Sequence, residues 1–358
     1  MRDELRVFDF PRLKSYNYFM KTEAVKLNWP LIGNSHIFEF LAKSLANQNV
    51  SGSYIFTGPA GLGKATAANF FAKSLVCEAG GRSALPCGEC PACSQAARNI
   101  HSDIYLIEKQ PDKKNISIEQ VRDFIRSLGL SSFLNSYKIG IIKGAETLSE
   151  GAVNALLKTL EEPKAKVVII LTVTNFEVLP KTIISRSQIL RFQPVKSGVI
   201  YDDLIKNHGA QRSQAKNFSR LSAGRPALAL KFLEDKEYYE SYRTEVQSFI
   251  KLLSSDLNER FKAVEDVLSK NARGQEAVKS AGKIIDVWQN LARDLMLLDL
   301  NLADLIQHEV FAEELAAVKN KLNLKSLLSL ISVLKQAKAY LANNVNPKLT
   351  LENVAASF

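Results

Sequence analysis

The sequence predicts an α/β domain with a parallel sheet followed by an all-α region, and three observations lead there. The first is a strand, loop and helix in that order. Tyr54-Ile-Phe56 is apolar, Gly58-x-x-x-x-Gly63-Lys64 follows, and Ala65 to Leu75 carries apolar residues at helical spacing. The second is a pair of further runs, Tyr137–Lys143 and Lys166–Val173, whose near-continuous hydrophobicity suits strands buried on both faces. The third is the change of period beyond Val246. There Leu327, Leu328, Ile331, Leu334 and Ala337 recur at three- and four-residue intervals, as bundle helices require.

The loop is the centre of the α/β part. Its glycines let backbone N–H groups turn toward one point, and the helix N-terminus behind it adds positive potential, so a polyphosphate fits without crowding. Gly58, Gly61, Gly63 and Lys64 are therefore the candidate phosphate-binding residues. Ala65 stands where a Ser or Thr hydroxyl would hold Mg²⁺, and Thr66 comes one place late. The run Tyr137–Lys143 leads toward the same site. Where a working phosphate-loop motor ends such a strand in Asp-Glu, this chain has Lys143-Gly144. Exchanging a carboxylate for an ammonium shifts the local charge by two units, each worth about 4 kcal/mol at ~4 Å and an effective dielectric of ~20. The expectation is a loop that can cradle phosphate but performs no Mg²⁺-dependent chemistry.

At 358 residues, 46% apolar and 23% charged, the chain has room for two or three domains of ordinary soluble composition. No run approaches a membrane span, and Met1-Arg-Asp-Glu-Leu-Arg6 lacks the apolar core of an export signal, so a cytoplasmic location and no membrane partner are expected. The net charge of +10 suits either work near nucleic acid or a plain basic surface, because Lys and Arg are scattered along the chain.

Residues 1–27 show no period and are expected to form an N-terminal extension without fixed structure, with Met1 and Met20 both open as starts. Asn34 or Ser35 can cap a helix with Ile37, Phe38, Leu41 and Leu45 on one face. Ile104 to Ile107 reads as a strand, and Ser117 as the cap of a helix bearing Val121, Phe124 and Leu128. Ala152, Ala155, Leu156 and Leu160 mark a helix that Pro163 stops. Thr174-Asn175 closes the Lys166–Val173 strand with polar groups toward the phosphate site, and Ile189 to Phe192 is a short strand. Gly224 and Pro226 mark a helix junction, and Glu234-Asp-Lys-Glu237 reads as a linker.

The chain's four cysteines, Cys77, Cys87, Cys90 and Cys93, fall together in a stretch containing Gly and Pro. Without an export signal a disulfide framework is not expected. Three of the four sit at two-residue spacing, which suits a closed tetrahedral Zn²⁺ site of structural type. Two rivals stay open on the same residues. A C-x-x-C pair can be redox-active, although no thioredoxin-like context surrounds it, and C-x-x-C-x-x-C also opens iron–sulfur motifs, although the C-x-x-x-C-P step is absent.

Five stretches together resemble the bacterial DNA polymerase III clamp-loader subunits of the AAA+ superfamily, from about residue 28 to the end. They are Gly58-x-x-x-x-Gly63-Lys64, the four cysteines, Asn154-Ala-Leu-Leu-Lys-Thr-Leu-Glu-Glu-Pro163, Leu179-Pro-x-Thr-Ile-x-Ser185-Arg186, and Asn344-Val-Asn346-Pro347-x-Leu349-x-Leu351-Glu352. The resemblance implies an AAA+ phosphate-loop domain at 28–194 with a zinc module at 77–93, a small helical lid at 195–235, and a C-terminal helical collar bundle at 236–358. The family has an ATPase motor branch, the gamma/tau type, and a branch that does not hydrolyse ATP. Ala65, Lys143-Gly144 ahead of Ala145-Glu146, and the Asn-x-Asn-Pro motif resemble the second.

The implied function is that of a stator. It would sit in a pentameric ring with gamma/tau-type ATPase subunits and a delta subunit, supporting the loading of a sliding clamp onto primer-template DNA, with ATP not expected as its own substrate. Ser185-Arg186-Ser187 resembles the family's Ser-Arg-Cys, which implies that Arg186 acts in trans on a neighbour's ATP; a surface ion pair is the plainer reading of the same residue. Ala227 falls where the motor branch carries a lid arginine, and Arg225 is not assigned that role. Two other functions stay open: an ATPase motor in its own right, and a stand-alone zinc-dependent DNA-binding module.

Overall fold

The computed structural model describes residues 25–357 except 80–83, 111–112, 131–136, 163, 165, 269–273, 321 and 344. Most of the expected N-terminal extension, Met20, the helix stop at Pro163 and Asn344 of the C-terminal motif lie outside the described residues.

The α/β part runs α1 (Ser35–Ala46), β1 (Ser53–Thr57), α2 (Lys64–Val76), α3 (Pro91–Ala97), β2 (Ile104–Glu108), α4 (Ile118–Gly129), β3 (Lys138–Lys143), α5 (Glu150–Glu161), β4 (Val167–Val173), α6 (Lys181–Ile184) and β5 (Gln188–Arg191). Among the described residues the strands form one sheet in the order β2-β3-β4-β1-β5, with every pairing parallel. The apolar runs decide this order. All of β1 and β4 is buried and both are interior strands, whereas β2 is half-exposed and lies at an edge. One face packs Ile37, Leu41 and Phe71 of α1 and α2 on Tyr54, Phe56 and Ile170. The other packs Val121, Phe124 and Leu156 of α4 and α5 on Ile55, Ile142 and Leu171.

Ser117 caps α4 as expected, its Oγ accepting from Gln120 N at 3.3 Å while Gln120 Oε1 accepts from Ser117 N at 3.1 Å. Asn34 corrects the reading made for α1. It occupies the N-cap position in a left-handed conformation, but its side chain makes no cap. Its amide instead pairs with the Gln193 backbone, donating to the carbonyl at 3.1 Å and accepting from the N–H at 2.7 Å. A local cap is given up there for a contact that closes the domain.

The helical remainder continues α7 (Ser197–Lys206), α8 (Arg212–Leu221), α9 (Pro226–Glu234), α10 (Lys236–Ser254), α11 (Leu257–Val267), α12 (Gln275–Asp299), α13 (Ala312–Lys319), α14 (Leu324–Ala342) and α15 (Pro347–Ala355). One buried apolar cluster extends from Val195 and Ile200 through Trp288 and Leu334 to Ala355. The charged stretch read as a linker is no linker. Asp235 ends α9 and caps α10, its carboxylate accepting from Tyr238 N at 2.9 Å, so charge at this point serves a helix start. Between α12 and α13, buried Asp294 accepts from His308 Nδ1 at 2.7 Å and from the Gln307 and His308 N–H groups, each at 2.9 Å.

Candidate functional site

The parallel sheet brings the carboxyl ends of β1, β3 and β4 side by side, Thr57 beside Val173 and Lys143 beside Thr172. In open parallel sheets this end is where ligands bind. The phosphate loop leaves β1 here. Gly58, Gly61 and Gly63 all take positive φ, and a Cβ on Gly58 would lie 2.4 Å from Phe192 O, so a side chain there is excluded twice over. Gly63 is the N-cap of α2, and Lys64, Ala65 and Thr66 follow it into the helix.

A pocket of about 300 Å³ opens at the loop, lined by Gly61, Gly63, Lys64, Ala65 and Thr66, and from the other strands by Gly144, Glu146, Thr172, Val173 and Thr174. Lys64 is buried and turns back on its own loop, its Nζ donating to Gly58 O at 2.5 Å and Pro59 O at 2.8 Å. Burial pushes this ammonium below its usual range, and the Glu146 carboxylate pulls it partly back. Glu146 Oε1 in turn accepts from Thr174 N at 3.2 Å and from Thr174 Oγ1 at 3.0 Å.

Two expectations change on this geometry. Lys143 does not line the pocket; its Nζ sits 3.6 Å from Glu108 Oε2, across the β2–β3 pair. Its positive charge is therefore answered locally rather than directed at the phosphate position. Asn175 does not line the pocket either, because its Oδ1 accepts from Glu177 N and caps the next turn. The acidic group of the site is Glu146, which reading along the chain missed. It sits beyond the end of β3 on a 3-10 turn, Ala145–Thr147, and only that turn swings it back to the loop.

The helical part meets the loop around Gly61. Ala227 lines the pocket, and its N–H donates to Gly61 O at 3.1 Å. Arg225 also lies against Gly61 but faces a second cleft of about 300 Å³, between the loop and α10 and α12, with its Nε donating to Ser222 O at 2.9 Å. In that cleft burial pushes the Glu245 carboxyl up to about 7.

Arg186 stands at the other end of the α/β part, between α6 and the edge strand β5. Its Nη2 pairs with Glu161 Oε1 at 2.8 Å, and its Nη1 donates to Thr182 O at 3.0 Å. The turn is pinned beneath it by Ser187 Oγ, 2.8 Å from Ser53 Oγ and donating to Ile183 O at 2.9 Å. The surface ion pair foreseen as the plainer reading is present, and its partner lies in the Asn154–Pro163 run.

The four cysteines converge, their sulfurs all within 4.8 Å of one another, with Cys87 and Cys93 at 3.9 Å. A tetrahedron of thiolates around zinc, with Zn–S near ~2.3 Å, needs S–S edges of about 3.8 Å, so the donor set fits that ion. The Cys87, Cys90 and Cys93 N–H groups each point at a cluster sulfur at 3.4 Å. The Cys90 N–H, foremost, holds the Cys87 thiol down to about 6, while burial pushes Cys77 and Cys93 up. The excursion is stitched to the chain ahead of α1 by Asn28 N to Leu85 O and Leu85 N to Lys26 O, both 2.8 Å.

The family described as "DNA polymerase III, delta subunit" matches residues 33–196. The tau subunit of DNA polymerase III from Bacillus subtilis is 35% identical over 189 residues, covering 53% of this chain and 33% of that protein. The delta-prime subunit of the same organism is 27% identical over 321 residues, covering 89% of this chain and 94% of that protein. A crystal structure of a DNA polymerase III gamma subunit-related protein from Thermotoga maritima aligns at a TM-score of 0.42 and 19% identity, covering 88% of this chain and 97% of that one. The match thus spans a third of the tau relative's length and nearly the whole of the delta-prime relative's. Matched across its phosphate-loop domain by the family model and aligned almost end to end with a delta-prime subunit, the chain is similar to the DNA polymerase III subunits of this group.

Proposed function

We propose that this chain is a delta-prime-type stator of the clamp loader: a cytoplasmic ring subunit that hydrolyses no ATP itself and contributes Arg186 to a neighbour that does. The observation that carries this reading is the state of the loop site. The cradle of Gly58, Gly61, Gly63 and Lys64 is intact, but Ala65 offers no hydroxyl to a metal and β3 ends in Lys143 and Gly144. Residues 28–194 would be the AAA+ domain, 195–235 the lid and 236–358 the collar. The collar would join gamma/tau-type ATPase subunits and a delta subunit in a pentameric ring that loads a sliding clamp onto primer-template DNA.

A second reading, a gamma/tau-type motor, is favoured by the 35% identity to tau and by the Glu146 carboxylate beside Lys64. The isolated chain separates the two. A stator gives no ATP turnover above background, with any phosphate or sulfate held by Lys64 and the loop amides. Turnover that survives rigorous purification and disappears in Lys64→Ala would establish the motor instead.

The cysteine cluster is proposed to hold one structural Zn²⁺ through Cys77, Cys87, Cys90 and Cys93. Bound there, the ion ties the excursion after α2 to the turn before α3. Chelator-free protein should carry about one equivalent of zinc by elemental analysis. Its removal should expose the 84–93 segment to proteolysis while leaving the sheet intact, since β1 and β4 are buried by their own apolar side chains. Less than half an equivalent, or an iron–sulfur absorption band, would refute the assignment.

A further inference from the structure

We propose that Glu161 is a positioning residue for Arg186, an inference that rests on the reading that Arg186 serves a neighbour's nucleotide. The ion pair joins two of the stretches that carry the family resemblance. Glu161 ends α5, at the close of the Asn154–Pro163 run, and Arg186 ends the Leu179–Arg186 run. Nothing in either stretch alone explains why they should occur together. Their meeting at 2.8 Å does.

The backbone on both sides is fixed before the side chains meet. Leu156 and Leu160 bury one face of α5, and Ile183 buries α6 against the same core. Ser187 holds the turn after Arg186 through Ser53 and Ile183 O. What remains free is the arginine side chain, long and rich in rotamers. It is gripped at both terminal nitrogens: Nη2 by the Glu161 carboxylate, Nη1 by Thr182 O at 3.0 Å and Ser185 Oγ at 3.4 Å. A guanidinium carries five N–H donors in one plane, so these acceptors leave donors over for a further anion. The arginine side chain is 35% exposed and the glutamate 48%, so the pair lies where a phosphate of an adjacent subunit can reach it. Because the pair is solvated, that phosphate has no buried bridge to break; Glu161 keeps its contact while the open donors take the new anion.

The experiment is a double-mutant cycle in the assembled loader, reading ATP hydrolysis at the adjoining subunit for wild type, Glu161→Gln, Arg186→Ala and the pair together. Glu161→Gln should lower kcat about fivefold, the scale of one exposed charged pair, with KM for ATP nearly unchanged. Added to Arg186→Ala it should do nothing more, since without the guanidinium there is nothing left to aim. Glu161→Asp should recover part of the loss. A rise in kcat with Glu161→Gln would mean that the carboxylate sequesters the arginine, and an unchanged kcat or an additive double variant would mean that it acts elsewhere. Each of these overturns the proposal while the Arg186 defect stands. Wild-type turnover in Arg186→Ala itself would overturn the trans reading, and this proposal with it.

Discussion

Arg186→Ala, assembled with ATP-hydrolysing partner subunits, should slow hydrolysis at the one adjoining site by about 10³-fold, at the lower end for a guanidinium that meets charge developing on a transferred phosphoryl group. The isolated variant should fold normally. The residue is partly exposed, and loss of its pair with Glu161 should cost no more than ~1 kcal/mol. Its own chain's pocket has no use for it: Lys64 and Glu146 lie at the carboxyl end of β1 and β3, whereas Arg186 sits between α6 and the sheet edge and does not line that pocket. The defect should fall on kcat more than on ATP affinity, because the charge that the guanidinium answers develops only in the transition state. In a ring with several active sites, total activity falls only by the share of that site. Unchanged single-site turnover in a correctly assembled complex would leave Arg186 a structural residue.

The second large effect concerns stability, and it lies in the helical part. Asp294→Ala should destabilise the chain by ~3–5 kcal/mol, as expected when one member of a buried charged network is removed. The carboxylate is fully buried; its Oδ2 takes three hydrogen bonds, from Gln307 N, His308 N and His308 Nδ1, and its Oδ1 accepts from Arg293 Nη1 at 3.0 Å. A carboxylate only accepts, so His308 Nδ1 carries the proton. The other ring nitrogen, Nε2, lies 2.7 Å from the Tyr242 hydroxyl. The network thereby ties α10, α12 and the connection to α13 together within one apolar cluster. Alanine leaves two backbone N–H groups and an imidazole without their acceptor. Asp294→Asn keeps an oxygen acceptor and should cost less. Urea unfolding midpoints with unchanged slope test this, and an alanine variant within ~1 kcal/mol of wild type would count against the network as a stabilising element.

The parts of this molecule that one segment can specify were legible along the chain. Seven successive β4 residues, Val167–Val173, are buried on both faces, as their apolar run demands. The glycine spacing of the loop and the Ser117–Gln120 box follow from local backbone chemistry in the same way. What could not be read depends on residues far apart. Asn34 looks like a helix cap until Gln193 claims its amide, and Glu161 looks like an ordinary helix end until Arg186 reaches it. Glu146 needs both its 3-10 turn and Thr174 to become part of the pocket. The last helix, Pro347–Ala355, was read only as a motif, although it carries its own signals: Asn346 Oδ1 accepts from Lys348 N and Leu349 N, and Pro347 opens the first turn. The charged stretch around Asp235 misled because composition is a weak guide to linkers when a carboxylate is also the best start for a helix.

That junction at Asp235 has a mechanical consequence. A single residue separates α9 from α10, and the helices on either side of it share one apolar core. The start of α9 is fastened to the phosphate loop by the Ala227 N–H on Gly61 O. The loop and the helical bundle are thus joined through α9 with no flexible segment between α9 and α10. In the proposed ring, a push applied by a neighbour at either end would be delivered to the other as torque rather than absorbed on the way.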